Sequence, residues 1–181
     1  MEEELKKIME ELIDFEQLRY ENIPDIDLYM DQVTTFVEEK LHYLKRNDKD
    51  DAITKTMINN YTKAGILMPP VKKRYSRDNM VLIILTYYLK QILSISDIQA
   101  ILSPIVEKSK ESKDYSQEIQ EIYNTFVNIE EKEYNDFKEN YNINSIISEK
   151  NELLTVVIGL IVKAQIQKRM AEKIIDEFFS K

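Results

Sequence analysis

The chain has 181 residues with 25 basic and 33 acidic side chains, and its 43% hydrophobic content is enough to bury a core in a soluble protein. The absence of cysteine excludes disulfides, thiolate metal sites and a cysteine nucleophile. His42 is the only histidine, and Gly65 and Gly159 are the only glycines, so neither a histidine-based metal cluster nor a glycine-rich phosphate loop can be assembled.

Scarce glycine and proline with abundant Glu, Lys, Leu and Ile point to an all-α, mainly helical fold. Leu5, Ile8, Met9, Leu12, Ile13, Phe15 and Leu18 recur at helical spacing, so a helix is expected from Met1 to about Tyr20. Its acidic start is unlike a signal peptide. Pro24 breaks the pattern, and a second helix is expected from about Ile26 to Leu44, followed by a polar loop over Lys45–Asp51.

A short helix is expected over Thr54–Ala64, with Thr54 as its N-cap and Gly65 just past its end. Pro69-Pro70 stops regular helix, and Val71–Tyr75 reads as extended. Ser76 can cap a deeply buried helix running to about Leu93. Ser96 and Gln99 have capping-box spacing for another short helix that ends before Pro104. Val106–Ser112 reads as a linker, and long helices follow over Tyr115–Tyr141 and Ser148–Phe179.

The longest apolar run, Leu153–Val162, is about half a membrane span. No membrane partner is expected, and a cytoplasmic location is the simplest reading. A helix apolar on nearly every side must lie inside a bundle or between subunits, and both readings stay open. The acids Glu130, Glu131, Glu133 and Asp136 read as a solvated face, without the Glu-x-x-His spacing of a di-iron bundle. Tyr123, Tyr134 and Tyr141 could line a ligand cavity, although no effector is identified. No cofactor, metal or catalytic residue is expected.

The most informative stretch lies between Asp51 and Asp78: 26 residues without an acid, carrying Lys55, Lys63, Lys72, Lys73, Arg74 and Arg77. The rest of the chain sums to 19 − 33 = −14, so a basic island sits in an acidic protein. Polyanion binding follows local potential rather than overall charge. On the Thr54–Ala64 helix, Lys55, Asn59 and Lys63 fall on one face with Thr56 and Asn60 beside them, while Met57, Ile58, Tyr61 and Ala64 point largely the other way. Amides can pair with adenine, and lysines reach guanine or phosphate.

Thr54–Pro70, then Arg74-Tyr75-Ser76, then Ser94–Ile98 resembles the winged helix-turn-helix of MerR-type bacterial regulators over roughly residues 50–103. Asp27–Val33 together with this block more closely resembles an uncharacterised bacterial family, domain of unknown function number 1836, with a MerR-like core. Asn59 falls where MerR proteins carry a phosphate-binding arginine, Asn60 and Tyr61 fall on their two tyrosines, and the glycine-containing wing tip is absent. The resemblance implies an N-terminal amphipathic helix (1–22), a winged helix-turn-helix (23–104) and a helical dimerisation or effector region (105–181).

It also implies a dimeric transcription regulator that binds double-stranded DNA. The expected contact residues are Thr54, Lys55, Thr56, Asn59, Asn60, Tyr61, Lys63, Lys72, Lys73, Arg74, Tyr75 and Arg77, and the homodimer would form through the C-terminal helices. The competing expectation is a helical protein–protein interaction module on a degenerate winged-helix scaffold that does not bind DNA.

Overall fold

In the computed structural model, residues 2–13, 16–47, 52–109, 115–140 and 150–180 are described. The architecture is mainly α: α1 (Glu2–Ile13), β1 (Leu28–Tyr29), α2 (Met30–Lys40), α3 (Lys55–Lys63), β2 (Arg74–Tyr75), α4 (Arg77–Lys90), α5 (Ile95–Lys108), α6 (Tyr115–Asn140) and α7 (Lys150–Phe178). The two strands form one small antiparallel ladder that pairs Leu28 with Tyr75 and Tyr29 with Arg74.

α4 is the axis of the fold. Ser76 caps it by accepting from the Asn79 amide, and every residue from Asp78 to Tyr87 is buried. An apolar run of this kind could form a strand, but its length without glycine or proline favours a helix covered on all sides. α6 and α5 pack on it, and β2 leads directly into it. One core cluster extends from Leu18 to Val127, joining Val33 and Val37 of α2, Ile58 and Tyr61 of α3, Ile98 and Leu102 of α5, and Ile119 and Tyr123 of α6. Tyr123 also donates to the Leu18 carbonyl at 2.7 Å, which ties the segment after α1 to α6.

Several boundaries differ from expectation. The first helix stops at Ile13, and residues 16–19 are irregular, because Leu18 is drawn into the core beside Tyr123. Leu28 and Tyr29 pair with β2 instead of starting the second helix, which ends at Lys40 and is followed by a single 3-10 turn at His42–Leu44. α5 starts at a Ser94 cap, in a reciprocal box with Asp97, and runs through Pro104 to Lys108. A proline inside a helix loses one backbone bond. Here Pro104 faces outward while Leu102 and Val106 on either side are buried, and their burial holds the helix together. Helix therefore replaces the first part of the expected linker. Residues 110–112 of that linker, 48–51 of the expected loop and Tyr141 lie outside the described residues.

Glu130 is not on a solvated face. It is 5% exposed, accepts from the Tyr43 hydroxyl at 3.1 Å, and lies 3.5 Å from Nε2 of Gln17, which also donates to the Val127 carbonyl at 3.3 Å. Burial pushes its carboxyl upward against the lowering effect of these two donors. Burial, with the neighbouring Glu130 charge adding to it, raises Tyr88 to about 12.

Two outcomes follow. Truncating Ile83 or Ile84 to alanine should cost about 2–5 kcal/mol in urea unfolding, as expected for buried aliphatics. Glu130 binds its proton more tightly folded than unfolded, so its contribution to stability is full below the ordinary carboxylate value of 4.5 and declines as pH rises through the raised one. Glu130→Gln should therefore flatten the fall in stability between pH 4.5 and neutrality, as read from denaturation midpoints across that range.

Candidate nucleic-acid interface

α3 is set by its two ends. The Thr54 hydroxyl accepts from the Met57 amide at 3.2 Å, and Gly65 takes φ +74° after the last turn. Ile66 N then donates to Tyr61 O at 3.0 Å and Gly65 N to Thr62 O at 3.1 Å, the paired bonds of a Schellman stop. Ile58 and Tyr61 face the core, while Lys55, Thr56, Asn59, Asn60 and Lys63 are exposed. The polar face read from the sequence is therefore presented outward as one strip.

The segment expected to be extended is a tight hairpin. Val71 N donates to Arg74 O at 3.0 Å, and Arg74 N returns to Val71 O at 2.9 Å. Lys72 and Lys73 fill the two central positions at φ +50° and +65°. Positive φ at both positions is the signature of a type I′ turn, which normally takes Asn-Gly. A side chain there is strained, at about 1 kcal/mol or more per residue. Both lysines are exposed, and among the described residues neither they nor Lys63 have a carboxylate partner.

The hairpin and α3 meet through the start of α2. Arg74 lies over the Tyr29 ring, 4.9 Å from its centroid, and its Nη2 donates to the Tyr29 hydroxyl at 3.0 Å. Two residues on, Asp31 pairs with Lys55 at the start of α3. This contact chain, Arg74–Tyr29–Asp31–Lys55, sets the turn and the exposed helix strip side by side. Tyr29 and Asp31 were absent from the expected contact set. Cross-strand pairing of Tyr29 with Arg74 is not legible without the strand register, and periodicity alone places Tyr29 inside a helix.

Four expected contact residues are used inward. Tyr61 and Tyr75 are 3% and 2% exposed, so they are core residues rather than half-exposed phosphate ligands. Burial raises both hydroxyls, and that of Tyr61 has no hydrogen-bond partner among the described residues. Thr54 has its oxygen committed to the cap. Arg77 donates through Nε and Nη2 to the Ile23 carbonyl at 3.0 and 2.7 Å and stacks on Tyr20 at 4.4 Å, which anchors the segment before β1. Lys55 is exposed but shares its charge with Asp31, so the outward field is carried by Lys63, Lys72, Lys73 and Arg74.

Glu38 of α2 is held below the usual carboxylate range by Lys45 and by the Ala52 amide, which donates at 2.8 Å. This clamp fixes both ends of the connection between α2 and α3. Of the tyrosines expected around a cavity, Tyr134 lines an open groove of about 590 Å3 with Tyr88, Phe137 and Leu160, whereas Tyr123 is in the core. His42 is exposed, with Nδ1 3.0 Å from the Glu39 carbonyl, and no cluster of metal-ligating side chains occurs among the described residues. No helix among them is long and apolar enough to cross a membrane.

The core cluster spans Leu18 to Val127, and the sequence profile of one family, a domain of unknown function (DUF1836), matches residues 18–126. The chain belongs to this family. The DUF1836 region thus coincides with this core cluster of the described residues, with α3, the hairpin and α4 at its centre. Neither a curated protein nor a solved structure matches the chain.

The strain at the turn gives a direct test. Lys72→Asn/Lys73→Gly supplies the residue pair that a type I′ turn prefers and should raise stability by about 1–2 kcal/mol, seen as a higher denaturation midpoint.

Proposed function

We propose that this chain is a non-enzymatic, cytoplasmic DNA-binding transcription regulator with a MerR-like winged helix-turn-helix. In this reading α3 is the recognition helix and the 71–74 hairpin is a minimal wing. The observation that carries it is the pair of lysines held at positive φ on the tip of the turn. Two strained, unpaired cations are a poor choice for folding, and strain of this kind concentrates where a ligand is gripped. The adjoining strip of Lys55, Thr56, Asn59, Asn60 and Lys63 supplies the amides, hydroxyl and ammoniums that read base edges and phosphates.

The roles divide by position. Asn59 and Asn60, mid-helix and exposed, are the side chains suited to adenine edges. Lys72, Lys73 and Arg74 hold the backbone, with Tyr29 stiffening Arg74 from below. The acidic remainder of the molecule keeps other faces off the duplex. The competing interaction module is favoured by one observation, the neutralisation of Lys55 by Asp31.

The Lys72→Asn/Lys73→Gly variant, folded at least as stably as the parent, separates the two. It should weaken binding to all duplexes and reduce the slope of log K against log salt by about two units. Asn59→Ala should instead change the consensus recovered from a random duplex library. Duplex affinity that is undetectable in the parent, or unchanged in the turn variant, would favour the interaction module.

A further inference from the structure

Two stretches of the chain segregate charge in opposite senses. The twenty residues between Arg19 and Lys40 hold six acids (Glu21, Asp25, Asp27, Asp31, Glu38 and Glu39) and no base, while the 26 between Asp51 and Asp78 hold six bases and no acid. The fold lays one stretch on the other: β1 pairs with β2, and α2 packs on α3 and β2.

The acids meet particular cations. Asp31 pairs with Lys55, and Asp25 lies 3.8 Å from Arg77. The Tyr29 hydroxyl first, and the Asp27 charge as well, hold the Arg74 guanidinium above its ordinary pKa, which puts the Asp27 carboxylate in its neighbourhood. Glu39 lines the same open groove as Lys55, whereas Glu38 is committed to Lys45 and the Ala52 amide. Asp78, which closes the basic stretch, turns inward at 8% exposure and accepts from the Ser116 hydroxyl at 2.5 Å. Lys63, Lys72 and Lys73 are exposed and have no carboxylate partner among the described residues. Asp27 and Asp31 are themselves exposed beside this surface.

We propose, resting on the DNA-binding reading above, that Asp27 and Asp31 are built-in competitors of the duplex backbone for Arg74 and Lys55. A phosphate that reaches either cation must approach a carboxylate already beside it, and like charges repel. An exposed pair such as Asp31–Lys55 adds little to stability and opens readily, so it acts on affinity more than on folding. The backbone is thereby favoured on the side of Lys63, Lys72 and Lys73. Sequence-independent binding grows with each cation free to neutralise a phosphate. The two aspartates lower that share and leave the base-facing Asn59 and Asn60 untouched.

Fluorescence anisotropy of a labelled mixed-sequence duplex of about 20 bp, followed over a salt series, tests this. Asp27→Asn/Asp31→Asn should bind about tenfold tighter than the parent and steepen the slope of log K against log salt by about one to two units, as Lys55 and Arg74 join the phosphate contacts. Asp31→Asn alone should give about threefold. Glu133→Gln/Glu139→Gln removes the same two charges from exposed positions of α6 and should change affinity by less than about twofold. Equal affinity of the parent and Asp27→Asn/Asp31→Asn would overturn the competitor role and leave DNA binding standing. An equal gain in the α6 variant would overturn it too, because net charge alone would then set affinity. Absence of duplex affinity from the parent and all variants would overturn both readings, whereas affinity that emerges only when the two aspartates are neutralised would support both.

Discussion

Everything in this fold is arranged around a helix with no solvent face. A helix buried from Asp78 to Tyr87 needs covering on every side. α5 and α6 supply part of that cover, and the α2–α3 pair with the small ladder completes the same core. The strand that enters α4 carries Arg74 and Tyr75, so the position of the hairpin is a consequence of how α4 is packed. Tyr75 points inward as a core residue while Arg74, its neighbour on the opposite face of the strand, is left outside over Tyr29. The period of two along a strand thus separates an anchor from a surface cation in adjacent positions.

The same sorting explains why a run of positive charge is not a uniform surface. Arg77 enters the fold through the Ile23 carbonyl and Tyr20, Lys55 is met by Asp31, and the remaining cations face outward. The start of α2 does most of the organising. One aromatic and one carboxylate, two residues apart, hold the turn and the exposed helix in a fixed relation. An acid placed beside the basic strip lowers its charge but fixes its geometry.

The parts that were legible in the sequence are those governed by local rules. α3 was bounded by a capping threonine and a glycine, α4 by a serine and its length, and α6 by its period. What could not be read depended on distant partners. Leu18 leaves the first helical pattern because Tyr123, more than a hundred residues away, holds its carbonyl. Glu130 looked solvated among its acidic neighbours because Tyr43 and Gln17, which surround it, come from other elements. The strip on α3 was visible as a pattern. The conformation of Lys72 and Lys73 was not, since no local preference puts two lysines at positive φ, and Tyr29 emerged only from strand register.

Gly65 shows what kind of constraint a single position can impose. Its φ of +74° is paired with empty space where a side chain would be, so sterics with neighbours play no part and the backbone alone excludes most residues. Asparagine, which tolerates that region, would be accommodated there, whereas valine or isoleucine would unwind the stop. The three residues that follow, Ile66, Leu67 and Met68, are all buried. A β-branched replacement would thus release α3 from its seat by misdirecting this tripeptide, leaving every side chain of the helix itself intact.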